Sequence, residues 1–459
     1  MTSSPSERFD VVILGGGPAG HACAVEASAC GRSVAVIEAS ELGGTCLNRG
    51  CIPTKLFLGA TDCVHELAAQ AKMRVASGSI AIDLPALQDR KAKMLAGNRQ
   101  AIEKDLSARG ITLLRGRGTV VAPGMVDVVT AEGTVRVEYG DLVVATGSRP
   151  TAFPGMTPDG DRVLDSDGIL DLSDVPQSMV IVGGGVIGLE LGRFFARLGT
   201  SITVVEALDR LAPWEDPEVS KTIAQLCKRE KWTIHTGKRV ASLVSDGGRA
   251  RLVLESGDEI LAEVALVATG RGPVTEGLGL ENAGCRLDRR GFVTVDERLR
   301  AADHVWAVGD VNGKAMLAHA ASHQGAYVAR CISGCDTGNY TPGPMPWCIY
   351  GAPETMRVGE MPAELEARGL HPRVSRAMLA ANPIAQAHAS VQGFVKIAWV
   401  DGRVHGVTAV GHGVAHLITQ ATIMVRDGWT AEDARRIIWA HPTLDEALRH
   451  ALTADTTDA

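Results

Sequence analysis

The pattern of hydrophobic and polar positions predicts a strand–helix–strand unit at the start of the chain. An apolar, β-branched run over Phe9–Leu14 leads into a glycine-rich turn at 15–20 and then into an alanine-rich stretch that ends near Cys30. A second apolar run, Ser33–Ile37, follows and ends at Glu38. A strand, a glycine-rich turn, a helix, a strand and an acidic residue in this order are the fingerprint of a dinucleotide-binding unit.

The same pattern returns in the middle of the chain. Val180–Val182 leads into a glycine-rich turn at 183–188, a helical stretch through Leu198, and a strand, Ser201–Val205, that ends at Glu206. The acid follows the last glycine at the same offset in both copies, and each copy is followed later by a strand that ends in Ala-Thr-Gly. One such turn is weak evidence, but the repeat predicts two dinucleotide-binding domains, one nested in the other. Two glycine-rich turns within generic α/β units are the alternative.

Each glycine of the first turn has a separate task. Gly15 makes the turn, Gly17 lets a pyrophosphate approach the backbone, and Gly20 lets the helix pack closely on the strand. The N-terminus of the helix stabilises the charge of the phosphate. The second turn repeats this arrangement at Gly183, Gly185 and Gly188.

The two acids are expected to accept hydrogen bonds from ribose hydroxyl groups. At Glu206 a carboxylate would also repel a 2′-phosphate, which favours NAD over NADP. Arg210 lies close by in the sequence and slightly weakens this preference.

The rest of the chain predicts helices over residues 57–107, short strands over 111–140, and a strand near 304–310 that ends in Gly-Asp. From about residue 345 the pattern becomes a mixed α+β tail without a glycine-rich phosphate turn. The predicted fold class is therefore α/β, with two nested Rossmann-like domains and a C-terminal α+β domain.

Size and composition exclude several classes of protein. A chain of 459 residues should form several domains, and 45% hydrophobic residues support large cores. A net charge of −7 gives no basic face for nucleic acid. We expect no secretory signal in residues 1–9 and no membrane span. Ten cysteines without a signal indicate a reducing compartment, so we expect a cytoplasmic location.

The stretch 43–55 (GGTCLNRGCIPTK) carries the strongest chemical signal. Cys46 and Cys51 lie five positions apart, so a regular helix would turn them away from each other. Gly50 permits a distorted backbone between them. Pro53 suits the first turn of a following helix, and Cys51 would then lie at the helix N-terminus, where the dipole favours a thiolate. This pattern predicts a redox-active dithiol; two buried, unpaired cysteines are the alternative.

The tail carries a second signal in 441–446 (HPTLDE). His441 is followed by a proline and, five positions on, by the carboxylate of Glu446. Such a histidine can be an oriented acid–base group, although a lone histidine is more often a surface or core residue. Because thiol–disulfide exchange needs a proton acceptor, the dithiol favours the catalytic interpretation.

Taken in order, these motifs resemble the flavin-dependent pyridine nucleotide–disulfide oxidoreductases, over residues 9–450. Within that family the chain is most similar to the dihydrolipoyl dehydrogenase branch, the E3 component of 2-oxo acid dehydrogenase and glycine-cleavage systems. The resemblance implies an FAD-binding domain at 1–150 that continues at 276–344, an NAD-binding domain at 151–275, and an interface domain at 345–459. It also implies a homodimer, and a lipoyl-domain protein as partner.

The resemblance also implies roles for individual residues. The cofactor-binding residues, for FAD and NAD, are expected to be Gly15, Gly17, Gly20, Glu38, Gly44, Thr45, Lys55, Thr146, Gly147, Asp310, Ala318, Gly183, Gly185, Gly188, Glu206 and Gly270. Lys55 and Glu190 would pair beside the flavin. Cys46 would exchange with substrate sulfur, and Cys51 would face the flavin. His441, oriented by Glu446, would deprotonate the incoming substrate dithiol. In this family the histidine acts on the active site of the other subunit of the dimer. The implied reaction oxidises protein-bound dihydrolipoamide with NAD⁺.

The chain also departs from the family at several positions. His412, His416 and Trp439 replace residues that are common in relatives. The pairs His412/His416 and His319/His323 are each four apart, but no third ligand accompanies them, so we expect no metal.

Other functions are weaker alternatives. A reductase acting on another disulfide remains open. Mercuric reductase would require a cysteine pair near the C-terminus, and none follows Cys348. Glu206 disfavours a glutathione-type reductase. A non-catalytic, flavin-containing assembly subunit is a further alternative, but it would not explain why the chain carries the dithiol and His441.

Overall fold

The structure is a computed structural model that describes residues 7–151 and 153–459. These residues form two compact units, each built from three separate segments of the chain. The first unit comprises 7–53, 88–151 and 270–342, and the second comprises 54–87, 153–269 and 343–459. Because the chain leaves the first unit and later re-enters it, one nucleotide-binding fold is nested in the other, as the sequence predicts.

The strands of the described residues are β1 (Glu7–Leu14), β2 (Val34–Glu38), β3 (Thr112–Arg115), β4 (Arg117–Ala122), β5 (Met125–Thr130), β6 (Gly133–Val144), β7 (Ser148–Pro150), β8 (Val163–Leu164), β9 (Ser178–Val182), β10 (Ser201–Glu206), β11 (Thr233–Thr236), β12 (Val240–Asp246), β13 (Arg249–Leu254), β14 (Glu259–Ala262), β15 (Val264–Val267), β16 (Arg271–Pro273), β17 (Arg300–Ala302), β18 (Val305–Ala307), β19 (Trp347–Ile349), β20 (Glu354–Gly359), β21 (Arg373–Met378), β22 (Phe394–Val400), β23 (Arg403–Gly411) and β24 (Thr457–Asp458). The α-helices are α1 (Pro18–Ala29), α2 (Gly44–Arg49), α3 (Cys51–Lys72), α4 (Leu84–Ala108), α5 (Val186–Arg197), α6 (Pro217–Arg229), α7 (Ala318–Ile332), α8 (Pro362–Ala367), α9 (Pro383–Ala387), α10 (Ile418–Asp427), α11 (Ala431–Arg435) and α12 (Glu446–Thr453).

The first unit is built on a sheet with the strand order β17-β18-β6-β1-β2-β3, and the β4–β5 hairpin adds to β6. β1 pairs in parallel with β2 and β6, so its β-branched residues Val11, Val12 and Ile13 are fully buried. α1 and α7 pack against each other at close range. A Cβ at Gly325 would lie 2.2 Å from the carbonyl oxygen of Ala19, so this approach requires glycine.

The second unit contains a parallel sheet with the order β11-β10-β9-β15-β8 and a small antiparallel sheet, β12-β13-β14. Helix α3 packs into the hydrophobic core of this unit, where the ring of Phe57 stacks on Phe194 at 4.7 Å. This packing explains why the structure groups residues 54–87 with the second unit, whereas the predicted domain division places them in the segment 1–150.

The tail of the second unit forms an antiparallel sheet with the order β19-β20-β23-β22-β21-β24. Helices α10 and α12 bury their apolar faces in its core, which includes Met424, Leu448 and Leu452. This arrangement confirms the predicted α+β character of the tail.

The predicted helical stretch at 57–107 consists of two helices, α3 and α4, separated by residues 73–83. The side chain of Asp83 accepts a hydrogen bond from the backbone N–H of Ala86 and so caps the start of α4. The short strands expected at 111–140 are present as β3–β6. Within residues 7–151 and 153–459, none of the helices combines the length and the apolar character that a membrane span requires.

Candidate active site

The first glycine-rich turn lies between β1 and α1. Gly15 adopts a φ of +105°, and a Cβ there would lie 2.4 Å from the carbonyl oxygen of Ala145. A Cβ on Gly20 would lie 1.9 Å from the carbonyl oxygen of Gly15. Around Gly17, in contrast, the nearest heavy atom to such a Cβ is the Cα of Gly44, at 3.7 Å. Two glycines are therefore required by packing, while the third leaves backbone open to a ligand.

Glu38 is buried and binds the turn itself. Its Oε2 accepts a hydrogen bond of 2.7 Å from the backbone N–H of Gly16, and its Oε1 accepts one of 2.8 Å from Ser40. A carboxylate has about four acceptor positions, so these two bonds leave room for ribose hydroxyls. Glu38 therefore stabilises the turn as well as being available to a nucleotide.

A polar cluster in the first unit joins β7, β16 and the segment after β18. Ser148 Oγ donates a hydrogen bond of 2.5 Å to Asp310 Oδ2, and Arg271 Nε donates one of 2.8 Å to Ser148 Oγ. Burial raises the pKa of Asp310, opposed by the bond from Ser148 and the charge of Arg271. Arg271 also donates to Thr45 Oγ1 at 3.3 Å, next to Cys46 in the chain.

Sequence reasoning found Asp310 and Thr45 but missed Ser148 and Arg271. Their only signal was the position of each directly after an Ala-Thr-Gly segment. Gln324 on α7 was not predicted either. Its Oε1 accepts a hydrogen bond of 2.8 Å from the backbone N–H of Gly309, the residue before Asp310.

The remaining residues predicted for FAD also lie in the first unit, apart from Lys55. Thr146 Oγ1 donates a hydrogen bond of 2.6 Å to the carbonyl oxygen of Val274. Gly147 has a φ of +72° with open space on its Cβ side, and Ala318 is the first residue of α7. The open backbone at the first turn, the buried acids and the helix N-termini therefore fit a dinucleotide such as FAD.

The two cysteines of the predicted dithiol lie on either side of a helix break. Cys46 is half-buried on α2, and Cys51 is exposed as the first residue of α3. Between them Gly50 leaves the helical region, with φ −140° and ψ −113°. The predicted distortion at Gly50, the helix start at Cys51, and Pro53 within its first turn are all present, so Cys51 lies at the positive end of a helix dipole.

Lys55 and Glu190 form an ion pair in the second unit. Lys55 Nζ lies 2.8 Å from Glu190 Oε2, and the carboxylate of Glu190 is almost fully buried. Glu190 Oε1 also accepts a hydrogen bond from the backbone N–H of Tyr350, whose ring centroid lies 4.5 Å from Lys55 Nζ. Burial, with the neighbouring thiol of Cys348, raises the pKa of Tyr350 to about 12. The ammonium group is thus held by a carboxylate and a neutral aromatic ring.

The second glycine-rich turn reproduces the first in its backbone contacts. Gly183 has a φ of +110°, and a Cβ there would lie 2.4 Å from the carbonyl oxygen of Ala268. A Cβ on Gly188 would lie 2.2 Å from the carbonyl oxygen of Gly183. At Gly185, however, a Cβ would meet the indole ring of Trp214 at 3.2 Å. Trp214 was not predicted, because it lies just outside the repeat and nothing in the sequence places it beside Gly185.

Glu206 repeats the contacts of Glu38. It accepts hydrogen bonds from the backbone N–H groups of Gly184, at 2.7 Å, and Leu208, at 2.8 Å. Arg210 donates to the carbonyl oxygen of Pro213 at 2.8 Å, so part of its guanidinium is already engaged. These contacts fit a nucleotide without a 2′-phosphate at this turn. Gly270, with a φ of +138°, belongs to the first unit rather than to the unit that contains this turn.

His441 and Glu446 form the predicted pair in the second unit. His441 Nδ1 lies 3.0 Å from both carboxylate oxygens of Glu446, and the backbone N–H of Thr443 donates to the same carboxylate at 3.2 Å. The bond to His441 and then that from Thr443 lower the pKa of Glu446. Because an ionised carboxylate only accepts, Nδ1 is the nitrogen that donates to Glu446, and in the neutral imidazole Nε2 then carries the lone pair. The imidazole is 70% exposed and the carboxylate only 7%.

These sequence and site features agree with comparisons to known proteins. The family profile described as pyridine nucleotide-disulphide oxidoreductase matches residues 9–325, and the profile of that family's dimerisation domain matches residues 345–452. The chain belongs to the pyridine nucleotide-disulphide oxidoreductase family. This membership confirms the resemblance and the two cofactors, FAD and NAD. The dimerisation domain supports the predicted homodimer.

Individual relatives place the chain among flavoprotein disulfide reductases. It is 34% identical to the dihydrolipoyl dehydrogenase of Chlorobaculum parvum, over 99% of this chain and 98% of the relative. The crystal structure of LpdA from Mycobacterium tuberculosis matches with a TM-score of 0.90 and 28% identity, over 97% and 99% of the two chains. The Cu(II) complex of the HOCl-induced flavoprotein disulfide reductase RclA from Escherichia coli matches with a TM-score of 0.88 and 26% identity, over the same shares.

Proposed function

We propose that this oxidoreductase converts dihydrolipoamide carried on a lipoyl domain to lipoamide, with NAD⁺ as the electron acceptor. The observation that carries the proposal is the His441–Glu446 pair, an exposed base held by a buried carboxylate. Such a base is suited to removing a proton from a thiol that arrives from solvent. The dihydrolipoyl dehydrogenase relatives support the choice of substrate.

In the proposed reaction the chain's own sulfur atoms carry out the exchange. His441 Nε2 takes a proton from one substrate thiol, and the resulting thiolate attacks Cys46 Sγ of a Cys46–Cys51 disulfide. The disulfide breaks, and Cys51 leaves as a thiolate at the N-terminus of α3, where the helix dipole favours the negative charge. The second substrate thiol then attacks the substrate sulfur of the mixed disulfide, which releases the cyclic disulfide; its proton passes to Cys46, which leaves as a thiol.

Two electrons then reside on the dithiol. FAD, when bound, supplies the two-electron relay from a dithiol to a nicotinamide. We propose that the first turn, with Glu38, Thr45 and Asp310, holds FAD, and that the second turn, with Glu206, holds NAD. Lys55 and Glu190 would place a fixed positive charge beside the flavin.

We also propose that His441 of one protomer serves the dithiol of the other. The dimerisation-domain match over 345–452 contains His441 and Glu446, which supports this assignment. The acid–base pair would then become part of an active site only in the dimer.

The experiment replaces Cys46 with serine. We expect Cys46→Ser to retain FAD and to lose NADH formation from dihydrolipoamide, because no disulfide can form with Cys51. Cys63→Ser is the matched control, since Cys63 is an exposed cysteine on the same helix as Cys51. Turnover at the wild-type rate in Cys46→Ser would contradict the proposal.

A second candidate is NADH-dependent reduction of a different disulfide. The match to RclA, an HOCl-induced flavoprotein disulfide reductase, favours testing it. A rate with lipoamide far below the rate with a small disulfide such as the oxidised form of a low-molecular-weight thiol would support this alternative.

A further inference from the structure

Three potential metal ligands converge in the second unit, and none of them is a cysteine of the dithiol. Glu66 lies on α3, His388 directly follows α9, and His412 directly follows β23. One ring nitrogen of each histidine and one carboxylate oxygen of Glu66 all lie within 4.8 Å of one another. The two imidazole ring centroids are 5.6 Å apart.

Local structure fixes where these side chains start. The side chain of Asn382 accepts hydrogen bonds from the backbone N–H groups of Ile384 and Ala385, which caps α9 just before His388. Gln70, one turn after Glu66 on α3, donates to the carbonyl oxygen of Ala387 at 3.4 Å. This bond from the Gln70 side chain links α3 to the end of α9, close to both Glu66 and His388.

The position of His412 is fixed by its neighbours. It lies between Gly411, with a φ of +147°, and Gly413, with a φ of +75°. At that φ a side chain on Gly411 would be strained, and its Cβ would lie 3.0 Å from the carbonyl oxygen of Gln392, which favours glycine in this turn. The ring of His65 stacks on that of His412 with a centroid separation of 6.3 Å.

The environment of His412 suits a metal ligand. Its Nδ1 is buried and has no hydrogen-bond partner among the residues that the structure describes. A buried polar atom without a partner is destabilising, and a bound metal ion would supply the missing partner.

We propose that Glu66, His388 and His412 bind a divalent transition-metal ion, with Zn²⁺ as the representative. Two imidazoles and one carboxylate form a donor set that zinc uses with water in the fourth position. Zinc–ligand bonds of about 2.0–2.2 Å place tetrahedral ligand atoms about 3.4 Å apart. Because Glu66 and His388 are exposed, their side chains can rotate to close the remaining gap.

This site differs from the pairs considered from the sequence. The predicted absence of a metal depended on the spacing of His412 and His416, which lacked a third ligand. In the structure the partners of His412 are His388 and Glu66, which lie far away in the sequence. Because the site shares no residue with the proposed reaction, its test is independent of the proposed function.

The experiment measures Zn²⁺ binding to the flavin-loaded, full-length protein. We would remove metals with a chelating resin and use a Cys46→Ser/Cys51→Ser background, since a reduced dithiol would itself bind zinc. Competition with a chromophoric chelator should then show one tight equivalent per chain. We expect His388→Ala and His412→Ala each to weaken binding at least 100-fold, and Glu66→Gln about tenfold.

His416→Ala and His405→Ala are the matched controls, since both residues lie near His412 in the sequence but outside the cluster. Both controls should keep wild-type affinity and flavin content. X-ray absorption at the zinc edge should show two imidazole ligands. Equal zinc binding in His388→Ala, His412→Ala and the parent protein would overturn the proposal, as would loss of binding in His416→Ala.

Discussion

The two glycine-rich turns have the same backbone design but different surroundings. In both, a carboxylate at the end of the second strand binds the turn at 2.7 Å, through Glu38 or Glu206. The first turn faces the Cα of Gly44, whereas the second faces the indole of Trp214. The two turns therefore share the backbone conformation that suits a pyrophosphate. They differ in the residue that faces the middle glycine of each turn.

This difference fits the proposed assignment of the turns. At Gly17 only the Cα of Gly44 comes within 4 Å of a Cβ, so a cofactor can stay bound there without displacing a side chain. A substrate that exchanges in each cycle must enter and leave, and a partly exposed side chain such as Trp214 can move to permit this. The following predictions test the comparison by changing one turn at a time.

The largest effect is expected from Gly20→Ala and Gly188→Ala. The new methyl carbons would lie 1.9 Å and 2.2 Å from a backbone carbonyl oxygen, well inside the normal contact distance, so the turn must open. We expect Gly20→Ala to yield protein without flavin, and Gly188→Ala to keep flavin but lose activity with NAD⁺. The ratio of flavin to protein absorbance and steady-state rates measure this. Gly97→Ala is the control, because Gly97 has open space on its Cβ side. Loss of flavin in both variants would refute the assignment.

The next effect concerns Glu215, which is buried beside Trp214 and has its pKa raised to about 7 by burial. The folded state binds this proton more tightly than the unfolded state, so stability falls as pH rises from 4.5 towards 7. Glutamine cannot ionise, so Glu215→Gln should be more stable than wild type at pH 8, by up to about 3 kcal/mol, and similar near pH 4.

Thermal midpoints across this pH range measure the Glu215 effect, with Glu255→Gln, at an exposed position, as the control. A constant difference between wild type and Glu215→Gln at all pH values would show that the carboxyl does not titrate in this window.

An intermediate effect is expected for Glu38→Gln and Glu206→Gln. Glutamine has one acceptor oxygen where the carboxylate has two, so one of the two backbone N–H groups loses its partner. The cost of about 1–3 kcal/mol corresponds to roughly tenfold or more in affinity. Glu38→Gln should weaken FAD binding, and Glu206→Gln should raise KM for NAD⁺ while changing the rate with NADP⁺ less. Equal effects of both variants on flavin content would contradict the assignment.

The smallest effect is expected for Trp214→Ala. If the indole must move before a pyrophosphate approaches Gly185, only part of the protein is ready to bind NADH at any time. Removal of the indole should then lower KM for NADH about threefold. Flavin content should not change. Trp347→Ala is the matched control because Trp347 is similarly exposed, at 36% against 38%. A higher KM would show instead that the indole holds the nucleotide in place.

Local features of this protein could be predicted well from the sequence. The repeat of strand, turn, helix and acid identified both nucleotide-binding folds, because each is encoded within about 30 consecutive residues. The helix start at Cys51 and the contact between His441 and Glu446 were also predicted, since both depend on residues at most five positions apart.

Features that depend on distant segments could not be predicted. The contacts of Arg271 with Ser148 and Thr45, the position of Trp214 beside Gly185, and the convergence of Glu66 with His388 all require the folded chain. No spacing rule signals such contacts. The sequence also could not reveal that Glu38 and Glu206 bind their own glycine-rich turns. In each case the turn N–H that donates to the carboxylate lies 22 residues earlier.

The exposure of His441 has a consequence for regulation by concentration. Its ring is already oriented by the buried carboxylate of Glu446 within a single chain. Assembly would therefore bring the base to the dithiol of the other protomer, and would not be needed to orient it. If the site is shared as proposed, dilution below the dissociation constant of the dimer would abolish disulfide chemistry first. Electron exchange between nicotinamide and flavin would persist in the separated subunits, so the quaternary state would select which half of the reaction runs.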